Sequence, residues 1–79
     1  MTERKDSYID LTREIIAIKR KLVEDVKKNG LYENFGQKEV RRLRDKYTDP
    51  SRYDEGMRYR RALIIAFNNW CINYTQVYY

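Results

Sequence analysis

A chain of 79 residues with a net charge of +5, no histidine and a single cysteine excludes several classes of protein. Its length suits one domain with a thin core. The missing histidine removes the usual zinc and haem ligands and the histidine-based nucleophilic sites, so we expect no enzyme activity and no cofactor. One cysteine cannot form an internal disulfide, which favours a reducing, cytoplasmic location.

Neither end of the sequence has the pattern of an export or membrane segment. Residues 1–16 are charged and lack the apolar stretch of a signal peptide. Residues 62–79 carry no charge, but the amides of Asn68, Asn69 and Asn73 would lack hydrogen-bond partners in lipid. The sequence therefore predicts a protein that is not inserted in a membrane.

The first predicted element is a long amphipathic helix. Its apolar residues recur at spacings of three and four, which predicts one buried face. Asp6 or Ser7 is the expected N-terminal cap, and Gly30 is the expected stop because glycine readily adopts the left-handed conformation there. The residues expected to face the core are Tyr8, Leu11, Ile15, Ile18 and Leu22.

A short aromatic connection and a basic helix follow. Leu31, Tyr32 and Phe35 are expected to anchor the connection on the core, and the second helix is expected to start at Asn34 or Gly36. The step of about 100° per residue separates the faces of this helix. Its predicted buried face is Val40, Leu43 and Tyr47, and its predicted outer face is Lys38, Arg41, Arg42 and Lys46.

A turn is predicted between the second helix and the last one. Either Asp49 caps a helix with Pro50 in its first turn, or Ser51 caps it with Asp54 three residues later. Both arrangements place a helix start near residue 50.

The last predicted helix runs from about Arg52 to Tyr74. Gly56 weakens its first turns by about 1 kcal/mol relative to alanine and marks a break, so three and four helices both fit the sequence. Residues 76–79 are expected to fray. The expected core stripe is Tyr53, Met57, Ile64, Phe67, Cys71 and Tyr74, with Cys71 as a small buried hydrophobe.

Together these elements predict an all-α protein, a small bundle of three or four helices. It forms a single helical domain over residues 1–79, with an ordered core over about residues 7–75 and frayed termini. We expect a monomer or weak self-association.

Residues 38–61 are the most basic part of the chain, with nine Lys or Arg against five Asp or Glu. A positive helix face attracts nucleic acid because each neutralised phosphate releases a condensed counterion. The alternative is an ordinary solvated face on which Glu39 and Asp45 form ion pairs with neighbouring Lys and Arg side chains. The residues predicted to bind nucleic acid are Lys38, Arg41, Arg42, Lys46, Arg58 and Arg61.

Arg60 falls on the apolar stripe of the last helix, where a lone charge is costly to bury. We expect a structural ion pair with a carboxylate from the first helix or the first connection, such as Glu33 or Asp10.

The chain has eight tyrosines and one tryptophan. Aromatic faces stack on unpaired bases, but a thin bundle also needs large side chains to fill its core. Most of these aromatic residues are therefore expected in the core. The candidates for base stacking are Tyr32, Tyr59, Tyr78 and Tyr79.

The segments ENFGQKEVRRLRDKY (33–47) and FNNWCINYT (67–75) resemble small phage proteins related to the accessory open reading frame adjoining the UvsW recombination helicase of T-even phages. The resemblance covers about residues 30–75, and its most specific parts are residues 34–37 and the pair Trp70 and Cys71. It implies a helical bundle similar to the helicase-and-RNaseD C-terminal module of RecQ-type helicases, which touches DNA. The motif of that module does not occur here, so the resemblance assigns no residue roles.

The sequence thus predicts a non-catalytic accessory protein of phage DNA recombination, repair or replication. It would bind single-stranded or branched DNA through its basic helical face, with a helicase or another replication or recombination protein as partner. The alternative is a protein-interaction module that docks on a phage or host enzyme through its uncharged aromatic C-terminal helix. In that case Trp70 or the terminal tyrosines would be exposed.

Overall fold

The computed structural model describes residues 2–78, with side chains for residues 8–77. Within that range it contains three α-helices and no strand, which confirms the prediction of a small all-α bundle. None of the helices described there is long and apolar enough to cross a membrane. The elements are α1 (Thr2–Asn29), α2 (Gln37–Tyr47), a 3-10 helix (Pro50–Arg52) and α3 (Met57–Tyr78).

Helix α1 begins earlier than its predicted cap. The cap at Asp6 or Ser7 is wrong because residues 2–5 contain no helix breaker and continue the helix upstream to Thr2. The predicted stop is correct: Gly30 has a φ of +84°, and its N–H donates to the carbonyl of Val26 at 2.8 Å.

The buried face of α1 is shorter than predicted. Leu11, Ile15 and Leu22 are buried, and Ile18 packs against them. Tyr8 was expected in the core but is 41% exposed, because it lies one turn beyond Leu11, the first α1 residue of the buried cluster.

The connection between α1 and α2 turns at Gly36, which we call the elbow, and is anchored on the core by an aromatic side chain. Gly36 has a φ of +76° and precedes the first turn of α2, which selects Gly36 over Asn34 as the helix start. A Cβ at Gly36 would lie 2.3 Å from Cys71 Sγ, so only glycine lets the elbow approach α3 this closely. Phe35 is buried as predicted, and its ring stacks on Tyr74 with centroids 5.0 Å apart.

The other two residues that were expected to anchor this connection, Leu31 and Tyr32, differ from Phe35. Leu31 is half-buried and packs on the core, whereas Tyr32 is exposed and touches the Phe35 ring with centroids 5.6 Å apart. Of these three residues, Phe35 is therefore the one that is fully buried.

The turn after α2 follows the first of the two predicted arrangements. The Asp49 carboxylate accepts hydrogen bonds from the backbone N–H of Ser51 at 3.0 Å and from its hydroxyl at 2.8 Å, with Pro50 in the first turn. The arrangement with Ser51 as cap is wrong. Asp54 instead precedes α3, where its side chain accepts from Gly56 N–H at 2.8 Å.

Helix α3 starts later and ends later than predicted. Its break at Gly56 is complete, so the helix begins at Met57 and not at Arg52. Tyr53 therefore lies outside the helix and is 72% exposed, which makes its predicted core position wrong. Residues 76–78, expected to fray, are helical, and Tyr79 lies outside the described residues.

The core lies where the three helices meet, with each pair of helices in contact. The middle of α3 is apolar all round in sequence, but only one side of it is covered: Ile64 and Phe67 are buried, whereas Ile65 is 60% exposed. The buried hydrophobic residues are Leu11, Ile15, Leu22, Phe35, Val40, Leu43, Met57, Ile64, Phe67 and Cys71.

Candidate nucleic-acid interface

The basic residues of α2 divide between two edges and an outer face. Val40 and Leu43 are fully buried, which fixes the orientation of the helix. At about 100° per residue, Arg42 and Lys46 then lie on the edge toward α1, and Arg44 lies on the edge toward α3. Lys38 and Arg41 point outward and are exposed.

The edge toward α1, formed by Arg42 and Lys46, is held by one carboxylate of α1. Glu14 Oε2 lies 3.0 Å from Lys46 Nζ, and Glu14 Oε1 lies 3.7 Å from Arg42 Nη1. The hydroxyl of Tyr47 donates to the same carboxylate. Glu39 and Asp45 were the ion-pair partners suggested by the sequence, but among the described side chains neither pairs with Arg42 or Lys46.

Protonation in this cluster follows from its contacts. Burial by itself would raise the pKa of Glu14, but the hydrogen bonds from Tyr47 and Lys46 and the charge of Arg42 outweigh burial and lower it. Burial and the Glu14 carboxylate raise the pKa of the Tyr47 phenol. Glu14 is therefore ionised and Tyr47 is a hydrogen-bond donor at neutral pH.

Apart from Arg60, which pairs with Asp54, the other basic residues of α2 and α3 have no such partner among the side chains of residues 8–77. Lys38, Arg41, Arg44 and Arg61 are exposed, and none lies within 4.0 Å of a carboxylate among the side chains of residues 8–77. We call these four residues the basic surface. Arg58 is exposed and equally unpaired within the same range; its spacing of three from Arg61 and seven from Ile65 places it on the same side of α3, one turn before Arg61 and outside the groove lining.

A groove runs along the junction between the C-terminal end of α2 and α3, and two residues of the basic surface line it. It has a volume of about 660 Å³. Helix α2 contributes Arg44 and Asp45, the following turn contributes residues 48–50, and α3 contributes Arg61. The full lining is Arg44, Asp45, Thr48, Asp49, Pro50, Arg61, Ile64 and Ile65.

Local hydrogen bonds fix the walls of this groove. Thr48 is buried, and its N–H and hydroxyl both reach the carbonyl of Arg44, at 2.9 Å and 2.7 Å, which ends α2. Gln37 Nε2 donates to Asn68 Oδ1 at 3.1 Å and ties the start of α2 to α3. The backbone hydrogen bond from Ser51 lowers the pKa of Asp49, so its carboxylate is ionised at neutral pH.

The sequence did not predict this groove, although one of its residues was among the predicted nucleic-acid contacts. Sequence reasoning selected Arg61 but left out Arg44, which lies at the border of the predicted outer face of α2. It treated Asp45 and Asp49 as a local partner and a cap. The signal that could have added Arg44 is its position one helical turn after Val40, on the side that a third helix must cover.

Arg60 is a structural residue. Arg60 is 4% exposed and forms an ion pair, as expected, but the predicted partners Glu33 and Asp10 are wrong. Arg60 Nη2 contacts both oxygens of Asp54, at 3.0 Å and 3.1 Å, because the turn before α3 folds back over the helix. Arg60 Nε donates to the carbonyl of Tyr47 at 2.8 Å and so joins the end of α2 to the start of α3.

The aromatic candidates separate into packed and exposed residues. Trp70 is half-buried and packs beside the stacked rings of Phe35 and Tyr74, at centroid distances of 5.8 Å and 5.3 Å. It is therefore not the exposed anchor that the docking alternative requires. Tyr32 and Tyr59 are exposed. The side chains of Tyr78 and Tyr79 lie outside the described residues.

Cys71 is buried as predicted, directly under the Gly36 elbow. Burial raises the pKa of its thiol to about 11, so the group is protonated at neutral pH and packs as a small apolar side chain.

Comparison with protein-family profiles, with curated proteins and with solved structures gives no match to this chain. The resemblance to the phage proteins stays a prediction. The function is therefore inferred from the geometry of the basic surface and the groove.

Proposed function

We propose that this protein is a non-catalytic accessory protein that binds nucleic acid through its basic surface. The observation that carries the proposal is the exposure of Lys38, Arg41, Arg44 and Arg61 on two adjacent helices, with no carboxylate within 4.0 Å among the described side chains. By the resemblance stated above, the process is phage DNA recombination, repair or replication in the host cytoplasm, with a helicase or related enzyme as partner.

Phosphate attraction supplies most of the affinity in this proposal. Each phosphate neutralised by a Lys or Arg releases counterions, so affinity falls as salt rises, with a slope of about 0.7 per contact for a single strand. Contacts of this kind position the chain without reading its sequence. We expect steep salt dependence and little preference among sequences.

Arg42 and Lys46 have a smaller part in this proposal than the sequence predicted. Their side chains are 55% and 56% exposed, but both share the Glu14 carboxylate. A phosphate would have to compete with that carboxylate for them, so each contact gains less than one made by Lys38 or Arg41.

The test is fluorescence anisotropy of labelled single-stranded, duplex and forked DNA at two salt concentrations. The test variant is Lys38→Ala with Arg41→Ala, and the matched control is Arg13→Ala with Arg20→Ala on the outer face of α1. Both variants lower the net charge by two, so long-range attraction is the same. We expect about a tenfold loss of affinity for the test variant and less than about a twofold loss for the control.

Equal losses in the two variants would remove the basic surface as the contact and leave only general charge attraction. Absence of salt-sensitive binding to any of the three DNAs would overturn the proposed function.

A second candidate, a protein-docking module, has one supporting observation. Helix α3 exposes Ile65, Ile72 and Val77, although Trp70 is packed inside. Exposed apolar side chains on one helix are typical of contact surfaces for other proteins. If no DNA binds at low salt, this candidate becomes the leading one, and the contact would then be made by these aliphatic residues.

A further inference from the structure

Three kinds of side chain line the groove between α2 and α3: basic, apolar and polar or acidic. Arg44 and Arg61 supply positive charge. Ile65 supplies most of the apolar floor, since it is a large apolar side chain that is 60% exposed, and Ile64, which is 4% exposed, supplies only its edge. The remaining polar lining, chiefly Asp45 and Asp49, supplies hydrogen-bond acceptors beside the C-terminal, partially negative end of α2.

A phosphate alone does not match this lining. Two arginines would attract it, but the two carboxylates would repel it, and the apolar floor would contribute nothing to its binding. A ligand that fits the whole groove needs a negative group, an apolar flat body and N–H donors together.

We propose that the groove binds an unstacked base of a single-stranded nucleic acid, with the adjoining phosphates on Arg44 and Arg61. This inference rests on the proposed function and names its substrate form. The base lies on Ile64 and Ile65, and its amino N–H groups donate to Asp45 or Asp49, the kind of contact that carboxylates make to cytosine. The volume of about 660 Å³ falls within the range of about 300–1,000 Å³ typical of ligand sites.

The same geometry disfavours a continuous duplex. Bases of a duplex are paired and stacked, so one must be extruded before it reaches a groove of this kind, and extrusion costs free energy. A single strand or the single-stranded arm of a fork offers its bases without that cost. The groove therefore selects single-stranded over duplex DNA, whereas Lys38 and Arg41 bind both.

The test compares two labelled strands of about twelve nucleotides, within the usual site size of single-strand binders. One carries cytosine bases, and the other is an abasic strand with the same number of phosphates. The full chain and two variants, Ile65→Ser and Ile72→Ser, are titrated with both. Ile72 is exposed on the same helix but lies outside the groove, so it is the matched control.

We expect the cytosine strand to bind about five- to tenfold more tightly than the abasic strand, because apolar area is buried on the groove floor. Ile65→Ser should remove most of that difference and leave abasic binding unchanged, while Ile72→Ser should change neither. Circular dichroism of both variants checks that they are folded.

Three results would overturn the inference, and they differ in what they leave standing. Equal binding of both strands means that phosphates act alone, so the proposed function holds and the base site is wrong. A base preference that survives Ile65→Ser places the base elsewhere, for example on Tyr32 or Tyr59. Binding of neither strand removes the proposed function and this inference together.

Discussion

The two edges of α2 carry similar basic side chains, but those on one edge are paired with a carboxylate and the one on the other edge is not. On the edge of α2 toward α1, Arg42 and Lys46 share the Glu14 carboxylate. On the edge toward α3, Arg44 lines an open groove with Arg61 and has no carboxylate within 4.0 Å among the described side chains. Basic residues two positions apart in sequence thus have different roles because different helices lie beside them.

This difference separates stability from binding. A cation that already shares a carboxylate stabilises the bundle and must give up that contact to bind a ligand. A cation without one contributes little to stability and is available to phosphates. Substitutions at partnered sites should therefore lower the free energy of unfolding, and substitutions at unpartnered sites should lower affinity.

Asp54→Ala tests the most strongly partnered cation. It removes the carboxylate from Arg60, which is 4% exposed, and leaves a buried positive charge. We expect the free energy of unfolding to fall by about 3 kcal/mol. Chemical denaturation followed by circular dichroism measures it. Asp49→Ala removes the carboxylate that caps the preceding 3-10 helix and is the control, with an expected loss of about 1 kcal/mol; if both variants unfold alike, Arg60 does not depend on Asp54.

Gly36→Ala tests the elbow that sets which edge of α2 faces which helix. Alanine at a φ of +76° is strained, and its Cβ would lie 2.3 Å from Cys71 Sγ. We expect a loss of about 2–3 kcal/mol in the free energy of unfolding. Gly30→Ala is the matched control, since φ there is +84° but nothing lies within 4 Å, so strain alone should cost about 1 kcal/mol. Equal losses would show that the contact with Cys71 relaxes freely.

Periodicity predicted the fold well because it is a local property. The spacing of Leu11, Ile15 and Leu22 defines the buried face of α1, and Gly30 and Gly56 mark the real interruptions of the helices. Errors arose at the ends of the pattern, where Tyr8 is exposed one turn before Leu11 and Tyr53 lies in the turn before α3.

The candidate site was less predictable because its partners are distant in sequence. Glu14 reaches Lys46 across 32 residues, and no spacing rule connects them. The partner of Arg60 was missed for the opposite reason: Asp54 is only six residues away, but it reaches Arg60 through a turn, so helical spacing does not indicate the contact. A sequence gives the charges and their faces, but the pairing depends on how the helices pack.

A direct test of whether pairing with Glu14 limits DNA binding replaces two unpartnered cations of α2 in one variant and two partnered cations in another. Lys38→Ala with Arg41→Ala removes unpartnered cations, and Arg42→Ala with Lys46→Ala removes partnered ones, with the same change in net charge. We expect about a tenfold loss of DNA affinity for the first pair and about twofold for the second. The second pair should also lose about 1 kcal/mol of stability, because Glu14 loses its partners.

Anisotropy at two salt concentrations and denaturation of the same samples check both effects. The first pair should also flatten the salt dependence by more than the second. If the second pair loses as much affinity as the first, Glu14 does not restrain Arg42 and Lys46, and both edges bind nucleic acid.

Glu14→Gln should have the smallest effect and acts on both properties at once. The pKa of Glu14 is lowered from its ordinary value of 4.5, so its contribution to stability is present above that pH and is lost as pH falls through the lower folded value. The variant should lose about 1 kcal/mol of stability at pH 7 and less at pH 3.

The same substitution releases Arg42 and Lys46, so DNA affinity should rise by about two- to threefold. Glu24→Gln, an exposed residue on the outer face of α1, makes the same change in net charge and is the control for anisotropy and for acid denaturation. If Glu24→Gln raises affinity equally, the gain reflects net charge alone. A gain confined to Glu14→Gln would mean that one carboxylate of α1 sets how many cations of α2 are available to bind DNA.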